Sequence, residues 1–396
     1  MPSKLSKNLE HLIEKKQEAI QQQQYEKYIQ LFEIAIEFLK KQDKVLMYGG
    51  TAINSLMPKR YKFYGSTELP DLDLFSTRAV GLANDLIREF KKKGYELASV
   101  QEALHIGTYK VLVNGVVIAD ISHVSPTIFE RLNTDSVIGD IGLRVCNPEF
   151  LRSTLYVILS QPQDSHRWNK VIERIISFNK VFPPKSKVAL HYLSVEMKQQ
   201  QSVPEKIIRD FAKEQQLIWT GESILKEILK LQPNWYEKLK DISSPIPYVF
   251  LVEENANKTA HLFVKQYPEL NLIVGKSVEE EEFMQKHTHV YHKGKIVVTF
   301  SQLNNCLSYT EYKNSSVASF ATLLRVLYEF YFNTMNDAFL AWIHLIIAIE
   351  LKHYISKHKL LQVVNTECVG PVIGLFTLRR ERFKRMIKKN KIHYKS

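Results

Sequence analysis

Three aspartates stand out by their type and spacing: Asp71, Asp73 and Asp120. Asp71 and Asp73 are one residue apart in a predicted strand, so both side chains project from the same face of it. Asp120 is an isolated acid in an otherwise apolar predicted strand. Carboxylates that converge on one sheet face repel one another, and two Mg²⁺ or Mn²⁺ ions would remove this repulsion because hard cations prefer oxygen ligands. Such an ion pair can activate an attacking hydroxyl group and stabilise a pyrophosphate leaving group.

A second motif, Gly49-Gly50-Thr51, lies between a predicted strand, Val45–Tyr48, and a predicted helix, Thr51–Leu56. Glycines at such a junction let the backbone approach a phosphate, and the free N–H groups of a helix N-terminus attract anions. The Thr51 hydroxyl could add a hydrogen bond. Gly-Gly alone is weakly informative, but this junction followed by Asp-x-Asp on a strand and a lone aspartate on a later strand is far more specific. In the structural alternative, Gly49-Gly50 is only a turn. Asp71 and Asp73 then cap the end of a strand, and Asp120 is a solvated residue on an edge strand.

The elements that must position these residues follow from hydrophobic periodicity. Residues from about 4 to 43 predict a helix, and Ala79–Lys92 predict another. Asp71–Phe75 predict a strand, and the two β-rich runs that flank Asn114-Gly115 predict a hairpin, because Asn-Gly favours the tight turn. The order of helix, strand, helix, strand, helix and hairpin predicts a small mixed α/β sheet.

Further along the chain, Asn147-Pro148 is typical of a helix start, and helices are predicted over Glu149–Ser160 and Arg167–Lys180. A second α/β region follows, and from Ser315 onward the chain is predicted to be mainly helical. The predicted strands of this region are Tyr248–Val252, Leu272–Val274 and Lys295–Phe300.

The charge of the chain favours a polyanionic partner. Lys and Arg number 54 against 42 Asp and Glu, a net charge of +12, which points to nucleic acid first and an anionic membrane surface second. Arg379–Lys395 holds nine Lys or Arg and one acid, and so carries +8 of this charge. Apolar residues interleave with the basic ones, which permits either an RNA-binding helix or a docked helix with solvated charges. The basic residues predicted to bind RNA are Arg379, Arg380, Arg382, Lys384, Arg385 and Lys388.

Composition excludes several classes of protein. With 396 residues, 45% hydrophobic and 24% charged, the chain is globular rather than disordered or fibrous. Its three cysteines form no Cys-x-x-Cys pair, which excludes a disulfide framework and a cysteine zinc site and suits a reducing compartment. The N-terminal residues lack a secretory apolar region. The longest apolar stretch, Ala338–Ile349, is 12 residues long, too short to span a membrane.

Three segments, VLMYGGTAIN, LPDLDLFS and VVIADIS, together resemble the polymerase-β-like nucleotidyltransferase core. More narrowly, they resemble the poly(A) polymerase catalytic subunits of large cytoplasmic DNA viruses of the poxvirus, asfarvirus and giant-virus types. The likeness continues through NPEFLRSTLYVILSQP, HRWNKVIERI and CLSYTEYKNSSVASFATLLRVLY. It implies a mixed α+β fold with an N-terminal helical segment (1–44), a nucleotidyltransferase domain (45–146), a helical connector (147–212) and a degenerate nucleotidyltransferase-like domain with a helical C-terminus (213–396).

The resemblance also implies an activity. A template-independent poly(A) polymerase would add AMP from ATP to the 3′ end of mRNA by a two-metal-ion mechanism and release pyrophosphate. The three aspartates would hold the metals, and Gly49 and Gly50 would cradle the triphosphate. Apart from the resemblance, the helix face of Lys170 could reach the triphosphate, or its helix could brace a domain junction. The implied partners are RNA, ATP, a second copy in a homodimer or a separate processivity subunit, and no membrane. The implied location is the host cytoplasm, in a viral factory, or the virion.

Alternative interpretations stay open on the sequence alone. The same fold could transfer another nucleotide, as in uridylyl or CCA addition, or the chain could be a non-catalytic RNA-binding or processivity subunit with a relic site. Three carboxylates together with Gly-Gly argue against a relic, because buried unpaired acids are costly. The segment LIWTGESILK, residues 217–226, is either a degenerate copy of VLMYGGTAIN or an accidental strand–turn–helix. His287, His289 and His292 lack a cysteine or acid at ligand spacing, which favours a polar strand face over a metal site.

Overall fold

The computed structural model describes residues 4–196, 203–239, 246–253, 255–279, 284–353 and 365–371. These residues fall into two compact units, of which the first ends at Leu151 and the second begins at Arg152. Each unit combines helices with one mixed β-sheet, so the predicted mixed α+β class is confirmed. Within the described ranges, no helix has the length and apolar character needed to cross a membrane. The predicted boundaries of the four sequence segments stay predictions.

The first unit contains a seven-stranded sheet with the order β3-β4-β5-β2-β1-β7-β6. The central strands β2 and β5 are parallel, and β1 is antiparallel to β2. A short 3₁₀ helix, Lys59–Tyr61, precedes β2. The elements are α1 (Lys4–Leu39), β1 (Leu46–Tyr48), α2 (Gly49–Leu56), β2 (Leu72–Ser76), α3 (Ala79–Lys92), β3 (Ala98–Glu102), β4 (Thr108–Val113), β5 (Val116–His123), α4 (Pro126–Asn133), β6 (Val137–Ile138) and β7 (Arg144–Val145).

Helix α3 explains how this sheet is held in place. Its buried residues recur at helical spacing and lie against β3, β4 and β5, while the opposite face is charged. The end of α1 packs on α3 through a similar buried stripe, in which Leu31, Ala35 and Leu39 are at most 4% exposed. Burying a leucine side chain contributes about 1.5–3 kcal/mol. Phe90, at 0% exposure, is the largest side chain in the α3 stripe, so its loss would disturb the sheet most.

Helix α5 (Pro148–Leu159) begins at the end of the first unit, and Oδ1 of Asn147 accepts the N–H of Phe150 at 2.8 Å, as the Asn-Pro signal predicts. The second unit then contains an eight-stranded sheet with the order β10-β11-β12-β9-β8-β14-β13-β15. Two 3₁₀ helices are Pro162–Arg167 and Pro268–Leu270. The other elements are α6 (Trp168–Val181), α7 (Ser186–Glu196), α8 (Glu205–Glu214), β8 (Ile218–Gly221), α9 (Glu222–Leu229), α10 (Pro233–Leu239), β9 (Tyr248–Val252), α11 (Ala256–Gln266), β10 (Ile273–Val274), β11 (His287–His292), β12 (Lys295–Gln302), β13 (Leu307–Tyr312), β14 (Ser315–Ala318), α12 (Phe320–Thr334), α13 (Asp337–His353) and β15 (Cys368–Val369).

Several predicted boundaries need correction. Strand β2 begins at Leu72, so Asp71 lies just before the strand, where its N–H donates to the Thr51 side chain instead of a neighbouring strand. Helix α2 begins at Gly49, so both glycines lie in its first turn. The edge strand β3 was not predicted, because its residues are alternately half-buried and exposed and show no apolar pattern. The segment that starts at Ser315 forms strand β14 before the helices begin, since it returns antiparallel to β13.

The cysteines also differ from the expectation. Cys306 and Cys368 form a disulfide bridge, with Cα atoms 5.3 Å apart. The two residues are 62 positions apart in sequence, and only the antiparallel pairing of β15 with β13 brings them together. Cys spacing alone does not reveal this pairing. Cys146 is a buried free thiol.

Candidate active site

A row of polar side chains crosses four adjacent strands of the first sheet. Tyr48 of β1 is opposite Asp73 of β2, Asp73 is level with Asp120 of β5, and Asp120 is opposite Lys110 of β4. Residues paired across strands present their side chains on the same face. The structure therefore brings two of the three predicted carboxylates together at the centre of the sheet, with a cation and a phenol on either side.

Asp71 is joined to this row through the backbone. Its N–H donates to Oγ1 of Thr51 at 2.9 Å, and its carbonyl oxygen accepts the N–H of Asp73 at 3.1 Å. Thr51 is 6% exposed, so this hydrogen bond ties the segment before β2 to the start of α2. The structure thus gives Thr51 a positioning contact, and its predicted contact with a phosphate stays a prediction.

Gly49 is required for two independent reasons. Its φ of +77° lies in the left-handed region, which side chains with a Cβ rarely adopt. A Cβ at this position would also overlap Oδ2 of Asp73. The backbone at the start of α2 therefore lies directly against the carboxylate of β2, and the predicted approach of the glycines to a phosphate stays a prediction.

The N-terminus of α2 is suited to an anion. Tyr48, at the N-cap, makes no side-chain capping hydrogen bond, and the first turn contains no acid. Gly50 lies half-buried in this turn. Backbone N–H groups at a helix start that are not capped by a side chain can bind phosphate oxygens.

Lys110 pairs with one of the acids. Its Nζ lies 2.5 Å from Oδ2 of Asp120, and the two side chains are 37% and 22% exposed. The other carboxylate oxygen, Oδ1 of Asp120, is buried and has no hydrogen-bond partner among the residues that the structure describes. A buried acceptor without a partner costs stability. This oxygen is therefore available to a cation.

Tyr48 is fixed beside the acids. Its hydroxyl lies 3.1 Å from Oγ of Ser122, which lies 2.9 Å from Oγ1 of Thr108, and its ring stacks on Phe75 with a centroid distance of 3.9 Å. Burial raises the pKa of Tyr48 above its ordinary value, the hydrogen bond with Ser122 opposes this, and the Asp73 and Asp120 charges raise it further. Tyr48 therefore stays protonated, as a donor next to the acids.

The electrostatics couple the acids. Burial raises the pKa of Asp71, the Asp120 charge raises it further, and Lys110 opposes both. Among the described residues, no group of three or more His, Cys, Asp or Glu side chains already surrounds a common point where a metal could bind. The donor chemistry nonetheless fits a hard divalent cation, because carboxylates share one sheet face and one buried carboxylate oxygen lacks a partner.

Sequence reasoning missed Lys110. Counting back from the Asn114-Gly115 turn in a regular hairpin places Tyr109 opposite Asp120. A bulge between Val111 and Leu112 shifts the register by one residue and brings Lys110 to that position instead. The hairpin was predictable, but nothing in its sequence indicates the bulge.

The remaining predicted residues lie elsewhere. Lys170 is exposed on α6 in the second unit, so its contact with a nucleotide stays a prediction. The basic tail, with Arg379, Arg380, Arg382, Lys384, Arg385 and Lys388, lies outside the described residues. The histidines form β11, as the strand interpretation predicts.

Hydrogen bonds within the second unit account for two of these histidines. Nδ1 of His287 lies 3.0 Å from the carbonyl oxygen of Gln285, and Nδ1 of His289 lies 2.8 Å from Oγ1 of Thr299. Burial, together with His287, lowers the pKa of His289 to about 4. His289 is therefore a neutral imidazole within the sheet.

Comparison with known proteins supports the resemblance. The sequence model of the family described as "Poly(A) polymerase catalytic subunit" matches residues 33–165. An African swine fever virus protein described as a candidate poly(A) polymerase catalytic subunit is 30% identical over 159 residues, which are 38% of this chain and 33% of that protein. A protein of Acanthamoeba polyphaga mimivirus with the same description is 25% identical over 158 residues, 39% of this chain and 26% of that protein. The matched part thus spans a third or less of these relatives.

The fold is similar to that of the Megavirus polyadenylate synthase crystal structure. The TM-score is 0.77 at 16% identity, and the superposition covers 99% of this chain and 85% of that one. At this identity the likeness shows the fold. The family match adds the segment that contains Gly49, Gly50 and the three aspartates. The resemblance to the viral family is therefore confirmed over residues 33–165, and the fold over nearly the whole chain.

Proposed function

We propose that this chain, whose residues 33–165 match the poly(A) polymerase catalytic subunit family, adds AMP from ATP to RNA 3′ ends without a template. One observation carries the proposal: Asp73 and Asp120 lie level on adjacent strands, and Gly49 brings the start of α2 against the Asp73 carboxylate. This geometry supports a cation site beside a phosphate site. A nucleotidyl transfer needs both.

The residues have separate roles in this proposal. Asp71, Asp73 and Asp120 would hold two Mg²⁺ or Mn²⁺ ions. When bound, such ions activate the RNA 3′-hydroxyl group and stabilise the departing pyrophosphate. Gly49 and Gly50, at the N-terminus of α2, orient the triphosphate through backbone N–H groups. The side-chain oxygen of Thr51 accepts the backbone N–H of Asp71 and so holds Asp71 in place. Lys170 and the Thr51 hydroxyl remain candidate nucleotide contacts.

The proposed partners follow from charge and resemblance. The net charge of +12, of which Arg379–Lys395 holds +8, favours RNA as the polyanionic partner. We propose that the chain acts as a homodimer, with a separate processivity subunit as the alternative, and that it works in the host cytoplasm. Deleting Arg379–Lys395 should flatten the logarithmic salt dependence of RNA binding by about 0.7 for each phosphate that these residues neutralise.

The test offers each of the four nucleoside triphosphates separately to a labelled single-stranded RNA, with Mg²⁺ or Mn²⁺. Extension with ATP, and much less with the other three, is the expected result. Equal use of UTP or CTP would move the assignment to another terminal nucleotidyltransferase. Tight RNA binding with no extension by any nucleotide would favour the non-catalytic subunit. Analytical ultracentrifugation of the same preparation measures the oligomeric state.

A further inference from the structure

We infer that Lys110 is a built-in counter-ion of the candidate active site, which neutralises Asp120 in the metal-free protein and competes with a divalent cation for that carboxylate. This inference rests on the proposed function, because it concerns the same acids. It assigns a positioning role to a residue that the Asp-x-Asp and Gly-Gly motifs do not include.

The geometry of Lys110 is that of a specific contact. The residue reaches Asp120 from the neighbouring strand, with Nζ 2.5 Å from Oδ2, and a bulge in the β4–β5 hairpin, with Ile118 of β5 as the extra residue, sets the register that makes this possible. The pair is half-buried, so water screens it less than a surface ion pair.

The charges at the site require such a cation. Asp71, Asp73 and Asp120 contribute three negative charges when ionised, and Tyr48 contributes none. A lysine ammonium is a compact point charge that binds one carboxylate oxygen and can move away on its flexible side chain. Since Oδ2 of Asp120 contacts the ammonium and Oδ1 has no described partner, a metal ion at Asp120 would share or replace the contact with Lys110.

The second sheet provides an internal control. Its hairpin has a turn at Lys293-Gly294 and a bulge between Val290 and Tyr291, as the first has a turn at Asn114-Gly115 and a bulge between Val111 and Leu112. Counted from the turns, His289 has the place of Lys110, and Thr299 has that of Asp120. The two residues are again opposite each other and in contact, at 2.8 Å.

This second pair is neutral. Thr299 has no charge, and His289 stays uncharged because its pKa is lowered to about 4. Of these two equivalent cross-strand pairs, only the one with a carboxylate therefore also has a cationic side chain opposite it. The second hairpin forms with a neutral side chain at this position, so the hairpin itself does not require a lysine. The role of Lys110 is therefore to compensate the charge of Asp120.

The test measures Mn²⁺ binding to the full chain without nucleotide, by the electron paramagnetic resonance signal of free Mn²⁺. Lys110→Met removes the competing charge, so it should tighten Mn²⁺ binding by about tenfold. Lys110→Arg keeps the charge and should bind Mn²⁺ like the wild type. Asp120→Asn should weaken binding, and His289→Ala, the matched change in the second sheet, should leave it unchanged.

The outcomes separate this inference from the proposed function. Unchanged or weaker Mn²⁺ binding by Lys110→Met, with circular dichroism showing a folded chain, overturns the counter-ion role alone. If Lys110→Met fails to fold, Lys110→Gln is measured instead. Lys110→Arg tests whether the positive charge alone is responsible. An arginine variant that binds Mn²⁺ tenfold differently from the wild type contradicts a role of charge alone. Absence of Mn²⁺ binding to the wild type would overturn the counter-ion role, and the RNA extension assay decides the proposed function separately.

Discussion

The two sheets of this molecule share one plan and differ in their charges. In both, a central parallel pair (β2 with β5, β9 with β12) is followed by an antiparallel neighbour (β1, β8) and then by a strand parallel to that neighbour (β7, β14). A hairpin with a left-handed X-Gly turn and one bulge extends each sheet on the other side. The second sheet also has β15 at its edge.

The likeness extends to the strand–glycine–helix junction. Gly49 follows β1 with a φ of +77°, Gly221 ends β8 with a φ of +60°, and a helix of eight residues follows each strand. This supports the interpretation of LIWTGESILK as a degenerate copy of VLMYGGTAIN rather than an accident. The pairing registers then give the counterparts of the site residues: Val249 stands where the first sheet has Asp73, and Thr299 where it has Asp120.

The difference between the two sheets at the positions of Asp73 and Asp120 shows that the fold does not depend on aspartates there. Val249 and Thr299 are both 0% exposed, so a sheet of this plan is well packed with an apolar or neutral side chain at these positions. The fold itself therefore does not require the acids, which are costly to bury. The first sheet contains them together with a compensating lysine, which supports the proposed chemical role.

The largest expected effect comes from the acids. Asp73→Asn should lower the rate of adenylate addition by about a thousandfold or more, because it removes a proposed ligand of the reacting centre. Thr299→Val, on the equivalent strand of the second sheet, should leave the rate within about twofold of the wild type. Single-turnover RNA extension measures both. The thermal midpoint of Asp73→Asn should not fall, since the change relieves repulsion, and a rate like that of the wild type would remove Asp73 from the site.

The second unit neutralises a buried carboxylate in another way, which predicts a pH effect. Glu350 is 5% exposed and accepts the hydroxyl of Tyr156 at 2.6 Å. Burial raises the pKa of Glu350 to about 7, and the hydrogen bond from Tyr156 opposes this. Asp120 is neutralised by Lys110, whereas Glu350 is neutralised by a proton at pH values below about 7.

The sign of the pH effect follows from the two pKa values. The carboxyl of Glu350 has an ordinary pKa of 4.5 when unfolded and about 7 when folded, so between these values the folded state binds a proton that the unfolded state has released. Stability falls as the pH rises through this window, by about 3 kcal/mol in total. Glu350→Gln should therefore be more stable than the wild type at pH 8 and similar at pH 5. Urea unfolding at both pH values measures this, and an equal decrease at both would contradict it.

Alanine substitutions at Gly49 and Gly221 distinguish the effect of backbone strain on stability from an effect on activity. Gly49→Ala and Gly221→Ala should each cost about 1–3 kcal/mol of stability, because both positions have a positive φ. Only Gly49→Ala also displaces Oδ2 of Asp73, so only this variant should lose activity per folded molecule. Thermal melts and initial extension rates measure the two effects separately. Similar decreases in activity in both variants would mean that the effect is one of folding alone.

The sequence predicts many of the elements and site residues compared above, and there are physical reasons why it does not predict the others. Helix α3 and strand β9 have the predicted bounds, because their apolar patterns are strong. The motif residues Gly49 and Asp73 were predicted to lie at one site and do, since a strand–glycine–helix junction fixes where the backbone can come close.

Contacts that depend on the register between strands could not be predicted from the sequence. Lys110 opposes Asp120 only through a bulge, and Cys306 meets Cys368 only because β15 adds to the edge of β13. Asp71 was placed in a strand, although its N–H bonds to the Thr51 side chain. Each of these contacts joins residues on different elements. Hydrophobic periodicity describes each element by itself and does not contain this information.

The smallest expected effect tests the likeness of the two hairpin turns. Asn114 and Lys293 both precede a glycine, with φ of +51° and +48°, and asparagine tolerates this left-handed conformation better than lysine. Lys293→Asn should therefore stabilise the second hairpin by about 0.5–1 kcal/mol, and Asn114→Lys should destabilise the first by a similar amount. In hydrogen exchange, the amides of β11 and β12 should exchange about two to five times more slowly in Lys293→Asn, with β4 and β5 unchanged. If both hairpins responded to either change, or if neither did, the two turns would not be independent copies of one structure.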